Sequence, residues 1–150
     1  MHTMLNISEA TSLAFHALAL LAREPGRRRS NTELAASLGA SEAHLAKVLL
    51  RLARAGLVVS SRGRGGGVTL THEPAQISLR QVYEVVEGPF AVSTCLAGAR
   101  GERPCGPDCI LGDLLHSVQE QVRDKFEQTS LADLAGAPLD GLRARAGVSA

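Results

Sequence analysis

The chain has 150 residues, of which 45% are hydrophobic and 21% charged, so it is long enough to bury one core of ordinary size. It contains no run of about 18 apolar residues and no basic region followed by an apolar block at its start, so we expect a cytoplasmic protein without a membrane partner. Aromatic residues make up only 3%, which argues against modules that stack single-stranded bases and against a large all-β core.

The net charge of +1 is unevenly distributed. Residues 1–72 carry nine Lys and Arg against four acidic residues, whereas residues 73–150 carry seven against eleven. The first half is therefore where an anionic polymer would bind.

Three helices are predicted in the first 55 residues. Apolar residues recur at helical spacing between residues 7 and 22. A capping box at Ser30 and Glu33 predicts a second helix, which ends at Gly39. Ser41 then caps a third helix with an apolar stripe at the spacing i, i+3, i+4, i+7. Two helices joined by a short turn that contains glycine indicate a helix-turn-helix.

The apolar period then changes from 3.6 to 2, which predicts two short strands at residues 57–61 and 68–71. The glycines between them permit the positive φ values of a tight hairpin. A helix-turn-helix followed by such a hairpin is a winged helix-turn-helix, a motif that binds double-stranded DNA. Small, polar and cationic residues occupy the positions that would meet the duplex. We predict DNA contacts from Ser41, Ala43, His44, Lys47, Arg51, Arg62 and Arg64.

A capping box at Ser78 predicts a fourth helix that stops at Gly88. Further on, a long helix carries an apolar stripe, with Gln119 expected on its polar face. Since the first four helices already supply a core, we predict that the stripe packs against a second copy of the chain. The predicted dimer-interface residues are Leu111, Leu115, Val118, Val122 and Phe126. A last short helix begins at the capping box of Ser130.

The predicted fold is mainly α with a small β-hairpin wing, a winged helix-turn-helix followed by a dimerisation helix. Five regions follow from the pattern. They are the winged helix-turn-helix (1–74), a connecting helix (75–92), a cysteine loop (93–110), the dimerisation helix with the short last helix (111–136), and a tail predicted to be disordered (137–150).

The cysteines indicate metal or redox chemistry. Cys95, Cys105 and Cys109 lie in one Gly- and Pro-containing segment, and disulfides are disfavoured in the cytosol. Three thiolates could bind an iron–sulfur cluster or zinc, or remain free of metal, and three ligands leave a fourth position open. The sequence has no metalloprotease histidine pair and no nucleophile-elbow serine, so no enzyme is predicted. The alternative from another class is a cysteine-dependent redox enzyme or a cluster carrier.

The combined pattern resembles the Rrf2 family of bacterial transcription regulators. The resemblance rests on residues 45–57 of the third helix, the wing at 61–67, the fourth helix ending at Gly88, the cysteine segment, and residues 129–134. It implies a homodimeric, DNA-binding transcription regulator that acts on a near-palindromic operator. It also implies that a two-iron or four-iron cluster in the cysteine loop sets the affinity for DNA.

The resemblance leaves the fourth cluster ligand open. Gly112 stands where iron–sulfur regulators of the family have a histidine, and Ser12 stands where its nitric oxide sensors have a carboxylate on the partner subunit, with Glu9 close by. Some members of the family lack a cluster. A cluster-free regulator that depends on thiols or zinc is therefore the alternative function.

Overall fold

The computed structural model describes residues 7–90 and 112–137. Within these ranges it contains six α-helices, one antiparallel β-hairpin and a 3₁₀ turn. In chain order these are α1 (Glu9–Arg23), α2 (Asn31–Leu38), α3 (Glu42–Arg54), β1 (Val58–Ser61), β2 (Gly67–Leu70), the 3₁₀ turn (Pro74–Gln76), α4 (Leu79–Glu87), α5 (Gly112–Gln128) and α6 (Leu131–Ala135). The predicted mainly helical fold with a hairpin wing is confirmed.

Side-chain caps fix the turn between α2 and α3. The Ser30 hydroxyl accepts from the backbone N–H of Glu33, whose carboxylate accepts from the Ser30 N–H at 2.7 Å. At the other end of α2, Gly39 has φ 62°, a left-handed conformation that glycine adopts without strain. The Asn31 amide donates to the Glu42 carbonyl at 3.0 Å, so the start of α2 is tied to the start of α3.

The core is built around α1, which packs against α2, α3, α4 and α6. Ala14, Ala17 and Leu18 are fully buried, and the two alanines let neighbouring helices approach closely. Val82 of α4 and Leu131 of α6 belong to the same buried cluster. Helices that the sequence assigns to the connecting and dimerisation regions therefore help to form the core beneath the winged motif.

The wing is joined by a third backbone segment. In the hairpin, Val58 pairs with Leu70 and Ser61 with Gly67. The first strand ends at Ser61 as predicted, and the other three strand ends lie one residue from the predicted positions. Arg29 pairs with Val68 on the outer side of β2, through N–H to carbonyl bonds of 3.1 and 2.8 Å. No local pattern in the sequence predicts this bridge, which anchors the wing to the connection between α1 and α2.

The end of α5 packs on its own chain through an aromatic cluster. The ring centroid of Phe126 lies 6.1 Å from Phe15, 5.8 Å from Tyr83 and 5.5 Å from Phe90. These four rings are all the Phe and Tyr side chains in the sequence. The cluster holds α5 against α1 and α4.

The expectation that Gln119 lies on the polar face of α5 is wrong, because Gln119 is buried, with only 6% of its surface exposed. Gln119 precedes Val122 by three residues and Phe126 by seven, and these spacings place all three on one face of a helix. Its side-chain oxygen has no hydrogen-bond partner in the described parts of the chain.

Candidate DNA-binding surface

Helix α3 presents one apolar and one exposed face. Its N-terminus is capped by Ser41, whose hydroxyl accepts from the backbone N–H of His44. The buried face consists of Leu45, Val48, Leu49 and Leu52. Because these side chains fill the core, the opposite face is directed to solvent. The exposed residues on that side are Ala43, Ala46, Lys47, Leu50, Arg51 and Arg54.

The cations of α3 and the wing tip are exposed. Lys47, Arg51, Arg62 and Arg64 all fall in this class. Among the described residues, none of them has a carboxylate oxygen within the 4.0 Å of an ion pair. Their charges are therefore available to a polyanion.

The arginines that precede α2 are held within the molecule. Arg27 and Arg29 both pair with Glu24, at 2.6 and 2.9 Å. Hydrogen bonds from both arginines hold the pKa of Glu24 below its usual value, and the bond from Arg29 has the larger effect. Arg28 donates to the Ser61 hydroxyl on β1. The side chains of this basic run are therefore engaged by Glu24 and by the wing strand β1.

His44 connects α3 to the start of α1. Its Nδ1 lies 3.6 Å from a carboxylate oxygen of Glu9, and its side chain is 35% exposed. Ser41, in contrast, is exposed while its hydroxyl serves as the helix cap. Among the ion pairs of the described residues, His44 is the member of the predicted DNA-contact set that faces a carboxylate of another helix.

The wing and α3 border a common groove. Its walls are Ala46, Leu49, Leu50 and Ala53 from α3, Val58, Ser60 and Val68 from the wing, and Asn31 from α2. The groove brings α3 and the hairpin into one continuous surface. Ala46 and Leu50 are missing from the predicted contact residues, although counting the positions opposite the buried stripe would have found them.

A hydrogen-bonded cluster lies where α4 meets α1. One carboxylate oxygen of Glu87 accepts from the Ser8 backbone N–H at 3.2 Å and from the hydroxyls of Ser8 and Thr11. Burial raises the pKa of Glu87, but these hydrogen bonds and the charge of Arg51 together lower it below its usual value. The cluster fixes the end of α4, next to the segment that carries the cysteines.

The predicted cluster ligands Cys95, Cys105 and Cys109 lie outside the described residues, as does Leu111 of the predicted dimer interface. The side chain of Leu115 is likewise outside the description, whereas Val118 and Val122 are half-buried. Within residues 7–90 and 112–137, no group of three His, Cys, Asp or Glu side chains could hold a metal ion.

Comparison with known proteins identifies the family. A family model named Rrf2, described as an iron-dependent transcriptional regulator, matches residues 7–137. The chain belongs to the Rrf2 family. It is 31% identical to the HTH-type transcriptional repressor NsrR of Streptomyces coelicolor over 138 residues, which cover 89% of this chain and 90% of the repressor. It is accordingly a transcription regulator of the Rrf2 family.

Solved structures share the fold. The structure of CymR, the global cysteine regulator of B. subtilis, matches with a TM-score of 0.72 and 29% identity, over 87% of this chain and 96% of CymR. The T. potens IscR structure matches with a TM-score of 0.69 and 24% identity, over 93% of this chain and 96% of IscR. In the described part of this Rrf2 chain, no helix is both long and apolar enough to cross a membrane.

Proposed function

We propose that this Rrf2 regulator binds double-stranded DNA through the exposed face of α3 and the tip of the wing. The observation that carries the proposal is the set of exposed cations, free of ion pairs within the described residues, on α3 and the hairpin that borders it. The N-terminal end of α3 would enter the major groove, while the later residues of the helix and the wing would contact phosphates. Ser41, Ala43, His44, Lys47, Arg51, Arg62 and Arg64 are the proposed contact residues.

Removing single cations tests this surface. Lys47→Ala and Arg64→Ala should each weaken binding to an operator duplex obtained by in vitro selection. Loss of one phosphate contact should lower the salt slope of binding by about 1. Both side chains are exposed, so the free energy of unfolding should change by less than about 0.5 kcal/mol.

The control is Lys125→Ala, which removes the other lysine of the chain, an exposed residue on α5. It should leave operator affinity and the salt slope unchanged. Fluorescence anisotropy at several salt concentrations measures both quantities. Unaltered affinity in Lys47→Ala and Arg64→Ala would contradict the assignment of this face.

We further propose that the chain acts as a homodimer on a near-palindromic operator, with α5 as the dimerisation helix. Leu114 is 59% exposed, and Val118 and Val122 are only half-buried by the chain itself. A symmetric dimer would cover such a stripe and present two copies of α3 to successive major grooves. Phe126 already packs on its own chain, so its contribution would be to hold α5 in position.

We also propose that an iron–sulfur cluster controls the affinity for DNA. Cys95, Cys105 and Cys109 are the residues that would hold it, and thiolates are the ligands that such clusters require. When bound, the cluster supplies iron that can change oxidation state, react with small molecules or be lost. The segment that contains these cysteines joins α4 to α5, so its conformation bears on how the proposed dimerisation helix follows the winged domain. The family description as iron-dependent supports the proposal.

The alternative function is regulation without a cluster, through zinc or through the thiols themselves. CymR, which has the same fold, is described as a global cysteine regulator, and this description supports the alternative of regulation linked to thiols. Metal and sulfide content separates the two functions, because only the cluster requires both iron and sulfide.

A further inference from the structure

The exposed face of α3 is apolar as well as cationic. Leu50 is 52% exposed, and Ala43 and Ala46 on the same side of the helix are exposed too. A single exposed leucine on a protein surface usually carries no meaning. Here, however, Leu50 lies three residues after Lys47 and four before Arg54, so it neighbours two exposed cations on the face that would meet DNA.

Helical spacing places these apolar side chains together. Leu50 follows Ala46 by four residues and Ala43 by seven, so the three form one stripe. Ala46 and Leu50 also line the groove between α3 and the wing, where Ala53 and Val58 add further apolar surface. The stripe therefore continues into a hydrocarbon-lined groove.

The charges around Leu50 indicate what the stripe would contact. From Lys47 to the end of α3, every charged side chain is a cation. Such a border would attract a polyanion and would not favour the apolar surface of another protein. In the major groove of DNA, the apolar group that a side chain can contact is the C5 methyl of thymine.

We propose that Leu50, together with Ala43 and Ala46, reads thymine methyl groups in the major groove of the operator. Alanine and leucine side chains cannot donate or accept hydrogen bonds, so their contribution to sequence choice is contact with these methyls. The neighbouring cations hold the duplex in register through its phosphates. This inference rests on the proposed DNA-binding function and adds the base chemistry that the recognition helix selects.

The test removes the methyl group and leaves every hydrogen bond of the base pair in place. The probe is the operator duplex selected in vitro with the wild-type protein, in which each thymine is replaced in turn by deoxyuridine. At one or two thymines in each half-site, the substitution should weaken wild-type binding about four-fold, the loss expected for one buried methyl-sized group. Thymines in the flanking sequence should show no effect.

The protein side of the test is Leu50→Ala. This variant should bind the unmodified operator more weakly and should lose the sensitivity to deoxyuridine at its own contact position. The control is Val59→Ala. Val59 is 50% exposed, but it lies between the groove-lining residues Val58 and Ser60 of β1, so its side chain is on the other face of the strand. It should keep the wild-type response. Because Leu50 is exposed, Leu50→Ala should melt at nearly the wild-type temperature.

Two results would overturn the inference. One is wild-type affinity that no deoxyuridine substitution changes, although the operator is bound. The other is an equal loss at the same thymines for wild type and Leu50→Ala. Failure of the proposed function itself has a different signature, because the wild-type protein would then bind no duplex even at low salt.

Discussion

At the scale of single residues, Glu87 joins two helices that are far apart in the sequence. Ser8 caps α1 with its hydroxyl and also donates to the Glu87 carboxylate, so one serine serves both contacts. The neighbouring Glu9 faces His44 on α3. The start of α1 therefore lies between the end of α4 and the proposed recognition helix.

Glu87 should make the stability of the protein depend on pH. Its pKa in the folded protein lies below the value of 4.5 for the free side chain. Its contribution to the free energy of unfolding is therefore complete above about pH 4.5 and is lost as the pH falls through the folded pKa. Glu87→Gln keeps an acceptor oxygen but cannot titrate, so stability should fall less steeply on acidification. Urea unfolding at several values between pH 7 and pH 3 measures this slope.

The control is Glu73→Gln, which alters an exposed glutamate that forms no ion pair among the described residues. It should leave the steepness of the acid transition unchanged. Some acid sensitivity will remain in Glu87→Gln, because Glu24, Glu33 and Asp133 also have lowered pKa values. If Glu87→Gln and wild type show the same pH dependence, the cluster does not contribute in this way.

At the scale of elements, the wing depends on a close backbone approach. Gly67 has φ +148°, and a Cβ atom there would lie 2.7 Å from the Arg29 carbonyl oxygen. Any side chain at this position would separate β2 from the segment that bridges it. The bridge links the wing to the connection between α1 and α2.

We expect Gly67→Ala to destabilise the protein by about 1–3 kcal/mol, through both backbone strain and steric overlap. The matched variant is Gly65→Ala, where φ is +73° but no atom lies within 4 Å of the added Cβ. That variant should cost about 1–2 kcal/mol through backbone strain alone, and less than Gly67→Ala does. Thermal unfolding of both variants tests the ranking. Equal costs would show that the approach of Arg29 adds nothing.

At the scale of the whole molecule, the C-terminal end of α5 packs on the chain, whereas the apolar residues of its first half are only partly covered. Phe126 sits in the aromatic cluster, whereas Leu114 and Val118 lie where the chain covers them only in part. The proposed dimer uses that partly covered half.

Val118→Asp and Leu114→Asp should convert the dimer to monomers, because each would place an unpaired charge in an apolar contact. Multi-angle light scattering at micromolar concentration measures the mass, and the loss of the dimer should also weaken binding to a full palindromic site. Leu114 is exposed in the single chain, so its variant should remain folded even if Val118→Asp does not. The control Gln121→Asp adds the same charge at an exposed site of α5. A monomeric wild-type protein would remove the hypothesis.

Cluster control requires a comparison of metal content with DNA affinity. Wild type and Cys105→Ala are reconstituted anaerobically, and iron, sulfide, zinc and operator affinity are measured for each. We expect iron and sulfide in the wild type, a clear loss of both in Cys105→Ala, and a changed affinity for DNA. Equal iron in the two proteins, or zinc without sulfide, would contradict the cluster. Loss of iron with unchanged affinity would contradict its role as the sensor.

Local signals in the sequence determined the helices and the hairpin of this protein. The capping boxes at Ser30, Ser78 and Ser130 all form as predicted, and Gly39 ends α2. A cap acts between residues three or four positions apart, so sequence alone is enough to place it. The first strand ends at Ser61 as predicted, whereas its start and both ends of the second strand differ from prediction by one residue. The reason at the start is that the Leu57 N–H bonds to the Leu52 carbonyl of α3, and in the second strand Gly67 joins the ladder opposite Ser61.

Only the tertiary structure decided how the elements meet. The Arg29–Val68 bridge, the Glu87 cluster and the burial of Gln119 join or cover residues that lie far apart in the chain. Periodicity shows that a helix has an apolar face, but the partner that covers each part of that face is chosen by packing with the rest of the molecule.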